Sequence, residues 1–130
     1  MTNLSVMKRK SAAILLVLLS VILVNIGQLL LKHGLNTLGE ISLNLNIFFS
    51  LVSAVFNPFV FFGIVFFVTS SFFWLLALSK AELSYAFPIL SLGYVLVSVL
   101  SWLFFNEVLS VLRILGLGVI VVGVYMLSKT

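Results

Sequence analysis

Long apolar runs separated by short polar breaks organise this chain, and its charges fall at the breaks. The clearest run is 83–105, which lies between Glu82 and Glu107 and contains no charged residue. A helix of about 22 residues at about 1.5 Å per residue crosses the roughly 30 Å of bilayer hydrocarbon, so this run predicts a transmembrane helix. Within it Ser84, Pro88, Ser91, Tyr94, Ser98 and Ser101 recur in steps of three and four on one side, while Leu90, Val97, Leu100 and Phe104 lie elsewhere. A polar side on a lipid-embedded helix faces protein or a cavity, which leaves two readings: packing against another helix, or lining a substrate path. Pro88 supplies no backbone donor and frees a carbonyl one turn earlier, near Ser84.

Three more spans follow from the same pattern. A polar lead over 1–10, ending in Lys8, Arg9 and Lys10, precedes the first span at 11–31. Toward the far end of that span Asn25, Gln28 and Lys32 stand at i, i+3 and i+7, so one face carries two amides and an ammonium. That face serves either a polar ligand, or anchoring of Lys32 among head groups with the amides bonded to neighbouring helices. Gly27 and Gly34, one heptad apart, permit close approach of another backbone. Residues 33–40 read as a loop, and 42–56 as an interfacial helix with Asn46, Ser50, Ser53 and Asn57 along its polar side. The alternative for 42–56 is the first turns of a long, tilted second span.

Asn57 followed by Pro58 is an N-cap residue with proline at the first helical position, so a helix starts there and the second span covers 58–79. The turn at Lys80 and Glu82 is so tight that the second and third spans are expected side by side and antiparallel. After Asn106 and Glu107, Ser110 is the expected N-cap of the last span, 111–127, with Arg113 in its first turn. Gly116, Gly118 and Gly123 give that span a smooth surface suited to helix association.

Composition narrows the class. The chain is 63% hydrophobic and 8% charged, about a third of the charged share of a soluble domain, with a mean hydropathy of +1.37. An all-helical membrane protein with four transmembrane helices is the expected fold, as one domain over 1–130. Net charge of +4 is spread over breaks and termini, so it reports topology and gives no sign of nucleic-acid binding. Lys8, Arg9, Lys10, Lys80 and Lys129 fall on one side of a four-span arrangement and Lys32 and Arg113 on the other, which places both termini in the cytoplasm of an inner (plasma) membrane protein. There is no cysteine to report a redox compartment.

No catalytic constellation, metal-ligand cluster or phosphate-cradling glycine loop is found, so neither an enzyme nor a cofactor is expected. The single histidine, His33, has no partner at ligand spacing. The three acids all sit at or beyond helix ends, which disfavours simple proton-for-cation exchange, a process that needs an ionisable group inside the membrane.

Ser84, Ala86, Pro88, Ile89 and Leu90, then Asn106 and Glu107, then Gly116, Gly118 and Gly123 together resemble the C-terminal part of an EamA-type unit of the drug/metabolite transporter superfamily. Gly27, Gln28 and Lys32, with Pro88, Leu90, Ser91 and Leu92, are similar to motifs in the small subunits of the aminoarabinose-phosphoundecaprenol flippase, with Phe87 where a tyrosine often precedes the proline. The small multidrug resistance family is a second, more distant resemblance, through Phe73, Trp74, Leu75, Leu76 and Ala77, through Tyr85 and Ala86, and through Ser101 and Trp102. Two positions depart from it: Val24 falls where that family has its membrane glutamate, and Pro88 where it has a substrate-stacking tryptophan.

These resemblances imply a dimer, either a homodimer or a heterodimer with a related four-span subunit, with the substrate site between two repeats. The candidate binding residues are Asn25, Gln28, Lys32, Trp74, Ser84, Tyr85, Pro88, Ser91, Tyr94 and Glu107. The candidate packing residues are Gly27, Gly116, Gly118 and Gly123. The expected function is transport of an amphipathic anionic substrate such as a polyprenyl-phosphate-linked sugar. The alternatives are efflux of a small molecule or drug, and a non-transporting accessory subunit.

Overall fold

The computed structural model describes residues 3–129; of the polar lead, Met1 and Thr2 lie outside the described residues, as does Thr130. Five helices follow one another: α1 (Asn3–Leu38), α2 (Ile47–Val55), α3 (Pro58–Leu78), α4 (Leu83–Phe105) and α5 (Val111–Ser128). Among the described residues no strand occurs, and α1, α3, α4 and α5 are long and apolar enough to cross a membrane.

The first helix is longer than the run 11–31 predicts, because it takes in the basic lead and most of the loop expected over 33–40. Nothing in 3–26 breaks a helix, and once nucleated a helix gains one bond for each residue it adds. It stops where Gly39 turns left-handed at φ +84° and donates its N–H to the Leu35 carbonyl at 3.0 Å. From Arg9 to Lys32 the helix measures roughly 35 Å at about 1.5 Å per residue, so its two charged ends bracket a bilayer's apolar thickness.

Of the stretch 42–56 only Ile47–Val55 is helical, and Phe56 closes it before α3 begins. The Asn57 side chain accepts from the N–H groups of Phe59 and Val60 at 3.0 and 3.4 Å, with Pro58 opening α3. α2 and α3 are therefore two helices and not one tilted span. At nine residues α2 is too short to cross, and it exposes Phe48, Phe49, Leu51 and Val52.

Contacts between α1 and α3 dominate the fold. Arg9 Nη2 donates to the Ser79 carbonyl at 3.2 Å, Ser20 Oγ to the Ser70 carbonyl at 3.0 Å, and Asn57 Nδ2 to Thr37 Oγ1 at 3.3 Å. Between these bonds Gly27 lies against Gly63, and Gly34 against Val60 and Asn57, so the two helices run antiparallel with backbones nearly touching. Lipid tails are as apolar as leucine, so helices in a bilayer associate through close packing of small residues and polar bonds and not through hydrophobic sequestration. Accordingly the buried set is small, and Val17 is its largest fully buried side chain.

The second and third spans are antiparallel and in contact, as expected, but they meet only near their connected ends and do not pack along their length. α3 and α4 meet around Trp74 with Phe87 and Ala77 with Ala86, while α1 makes the larger contact with each. A tight turn fixes only the ends of two helices. The glycines decide which helix packs along the length of α3, and they favour α1. α4 lies along the other side of α1, with Ala86 against Val17 and Val21, and Gly93 against Val21 and Asn25. α5 turns back from α4 through Asn106, left-handed at φ 53°, and has no buried residue. A Cβ added at Gly116, Gly118 or Gly123 would meet nothing within 4 Å, so the smooth surface of α5 has no partner among the described residues.

The seam between α1 and α3 yields a contrast between glycines. A Cβ at Gly63 would stand 2.7 Å from Leu31 Cγ and 2.8 Å from the Gly27 carbonyl oxygen. Gly63→Ala is expected to cost about 1–3 kcal/mol and to lower the melting temperature in detergent, whereas Gly118→Ala leaves it unchanged or slightly raised. Equal melting of the two variants would refute the seam.

Candidate functional site

The predicted residues do not gather at one point. They fall at the end of the bundle that carries Lys32, along the middle of α4, and at the end that carries the chain termini.

At the first end α1 emerges beside the turn from α4 to α5. Lys32 Nζ stands 3.6 Å from Glu107 Oε1, with the two side chains 51% and 43% exposed. Such exposure screens the pair, which leaves the ammonium available to another anion. Arg113, in the first turn of α5, reaches back to that connection, its Nη1 bonded to the Val108 carbonyl at 3.0 Å and its backbone N–H to the Ser110 hydroxyl at 3.2 Å. His33 stacks edge-on against Phe59 with ring centres 4.4 Å apart. The face that joins Asn25, Gln28 and Lys32 in sequence divides in space. Asn25 is buried against Gly93 and donates Nδ2 to its own helix at the Val21 carbonyl, 2.8 Å away, whereas Gln28 is exposed and Lys32 turns to Glu107.

Along α4 the seam with α1 is made by Ala86 and Gly93, and the hydroxyl side lies beside that seam and not on it. Pro88 and Ser91 are half-buried, and the Ser91 hydroxyl bonds to the Pro88 carbonyl. Tyr94 is exposed, and the Ser98 hydroxyl bonds to its carbonyl at 2.6 Å. Ser91 and Ser98 therefore satisfy their donors on their own helix, and Ser91, Ser98 and Ser101 are only half-buried within this chain. Trp74 meets Phe87 edge-to-face with centres 5.3 Å apart, forming a wall where α3 approaches α4.

At the terminal end a cleft of about 640 Å³ opens between α1, the turn from α3 to α4, and the end of α5. Ser84 and Tyr85 line it, and so do Arg9, Lys10, Lys80, Lys129 and Glu82. Sequence reasoning used those four basic residues for topology alone. Their convergence needs α1 to reach past Arg9 and α5 to end beside it, which no local spacing reveals. Gly63, a single glycine among phenylalanines, was likewise missed as the partner of Gly27.

The arrangement defines a multi-pass helical membrane protein with polar groups concentrated at its two ends and along one side of α4. No group of three acids, histidines or cysteines able to hold a metal occurs among the described residues. This chain belongs to the EamA-like transporter family, whose profile matches residues 47–129, from α2 through α5. It is similar to curated proteins named as probable 4-amino-4-deoxy-L-arabinose-phosphoundecaprenol flippase subunit ArnF. The Photorhabdus laumondii protein is 35% identical over 86% of this chain and 93% of its own length. That of Proteus mirabilis is 33% identical over 85% and 86%, and that of Erwinia tasmaniensis 40% identical over 83% and 87%. No solved structure matches this chain.

Because Lys32 and Glu107 are half-exposed, their mutual attraction contributes little to folding. A double-mutant cycle on Lys32→Gln and Glu107→Gln, read by thermal unfolding in detergent, is expected to give a coupling of about 0.2–1 kcal/mol. A coupling of several kcal/mol would make the pair a structural lock and remove it from the binding candidates.

Proposed function

We propose that this chain is one subunit of a transporter that carries the head group of an amphipathic anionic lipid, a polyprenyl-phosphate-linked sugar, across the inner membrane. The observation that carries the reading is the similarity to flippase subunits over most of the chain. Three features of the geometry support it. Lys32 stands as a screened cation at the rim of the seam between α1 and α4, able to exchange Glu107 for a phosphate. The hydroxyl side of α4 runs beside the same seam, only half-buried, and the Ser91 and Ser98 oxygens keep acceptor capacity for sugar hydroxyls. Glu40, Glu82 and Glu107 all lie outside the spanning helices, so no carboxylate within a span exchanges a proton for a cation.

A head group crossing the apolar layer needs a path closed to lipid, and the four spans of one chain leave that side of α4 only half covered, with Ser84 and Tyr94 exposed. The unpartnered glycine surface of α5 supports a second four-span unit, a copy or a related subunit, as the other wall. In this reading both termini are cytoplasmic. Arg9, Lys10, Lys80 and Lys129 share the terminal end, whereas Lys32 and Arg113 stand at the other.

Two measurements test these statements. Lys32→Gln is expected to insert and assemble but to lose about tenfold to a hundredfold in translocation of lipid-linked sugar in reconstituted vesicles, the value of one charge-assisted contact to phosphate. Undiminished transport by that variant would return Lys32 to simple anchoring in the head groups. Since the chain has no cysteine, single cysteines at Asn36 and Thr130 can be labelled from outside the cell. Only Asn36→Cys should react, and equal reaction at both positions defeats the single orientation.

A further inference from the structure

The cleft at the terminal end has more charge than topology requires, and that charge is arranged. Arg9 and Lys10 come from α1, Lys80 from the turn between α3 and α4, and Lys129 from the residue after α5. Among the described residues, four cations from three separate parts of the chain thus meet around one space with a single carboxylate, Glu82. At about 640 Å³ the cleft is within the size range of small-molecule sites, roughly 300–1,000 Å³.

Arg9 is held in place, because one of its N–H groups is committed to the Ser79 carbonyl at 3.2 Å. A guanidinium has five such donors, so the others remain for a ligand in a fixed orientation. The same bond sets the depth of the cleft. Ser79 caps α3 directly after its last apolar residues, so Arg9 lies at the level where the helix leaves the hydrocarbon, which is where lipid phosphates reside. Ser84 and Tyr85, at the start of the hydroxyl side of α4, complete the wall, and Glu82 offers an acceptor to a hydroxyl or an amine on the same head group.

We propose that this cleft binds the phosphate of a lipid head group at the membrane surface and delivers it to the hydroxyl side of α4. The proposal deepens the transporter reading and rests on it only for which lipid is delivered. Lys8 provides the internal control. It belongs to the same basic run as Arg9 and Lys10 and serves the same topology, but it does not line the cleft.

The test uses purified full-length protein in neutral maltoside micelles, with lipid retention read by native mass spectrometry. The probes are undecaprenyl phosphate, uncharged undecaprenol and phosphatidylglycerol. Undecaprenyl phosphate should be retained at least tenfold better than undecaprenol. Lys80→Gln and Lys10→Gln should each weaken retention about tenfold, Lys80→Arg should restore it, and Lys8→Gln should leave it unchanged. Preference for undecaprenyl phosphate over phosphatidylglycerol assigns the site to the transported lipid, and equal retention assigns it to membrane phospholipid; both support the phosphate site. Equal loss in Lys8→Gln and Lys80→Gln, or equal retention of undecaprenol, overturns it in favour of diffuse surface charge. Translocation measured on the same preparations separates the two proposals. Retention without translocation by wild type removes the flippase and leaves the cleft, while translocation with undiminished retention in Lys80→Gln removes the cleft alone.

Discussion

The backbone contact between Gly27 and Gly63 is the constraint on which the rest of the structure depends. Each would place a Cβ 2.8 Å from the other's carbonyl oxygen, so neither position admits a side chain without a shift of the helices. With the two backbones that close, the antiparallel register of α1 and α3 is fixed. Ser20 then falls opposite Ser70, Arg9 opposite Ser79, and Thr37 opposite Asn57. In lipid these bonds and the close packing do what a hydrophobic core does in water, since removal of apolar surface from one oily medium to another yields little.

That register also decides where the chemistry lies. α1 serves as the central post, with α3 on one side and α4 on the other, and its two charged ends project to the two surfaces. Lys32 meets Glu107 at one surface because α4 runs parallel to α1 and its end arrives at the same height. Arg9 meets the end of α3 at the opposite surface for the complementary reason: α3 runs the other way. A helix that stopped at Lys10 and Leu31 would have placed neither group against a partner.

Much of this was legible in the sequence, and what was not has physical causes. The four spans, the N-cap at Asn57 and that at Ser110 were readable because each depends on local signals: apolar length, an amide before proline, a hydroxyl before a helix. The continuation of α1 beyond the span at 11–31, through the basic lead and most of 33–40, was not legible because Lys and Arg end the membrane-embedded part of a helix without ending the helix itself. The packing order was not legible because the short turn between α3 and α4 fixes adjacency only at their connected ends, whereas the choice of neighbour along their length rests on glycines 36 positions apart, at Gly27 and Gly63. The cleft was invisible for the same reason, as its basic residues are scattered from Arg9 to Lys129 and meet only when three helix ends converge.

The placement of charge bears on what a membrane protein of this size can move. A lipid-linked head group differs from a free solute in that its tail never leaves the hydrocarbon, so the protein has to shelter only the polar part. Binding a phosphate in the middle of the membrane would need a buried cation, which is costly without a permanent partner. Cations held at the two surfaces avoid that cost. In the proposed path a phosphate is captured at one surface and received at the other, while the distance between is covered by neutral hydroxyls on α4 that can bond to sugar without binding it tightly. Weak, repeated contacts suit passage better than one strong site, since a head group held firmly at the midplane would not be released. Ser91 and Ser98 fit that role, because each already has a carbonyl partner on its own helix and is left with no unpaired donor when the substrate has moved on.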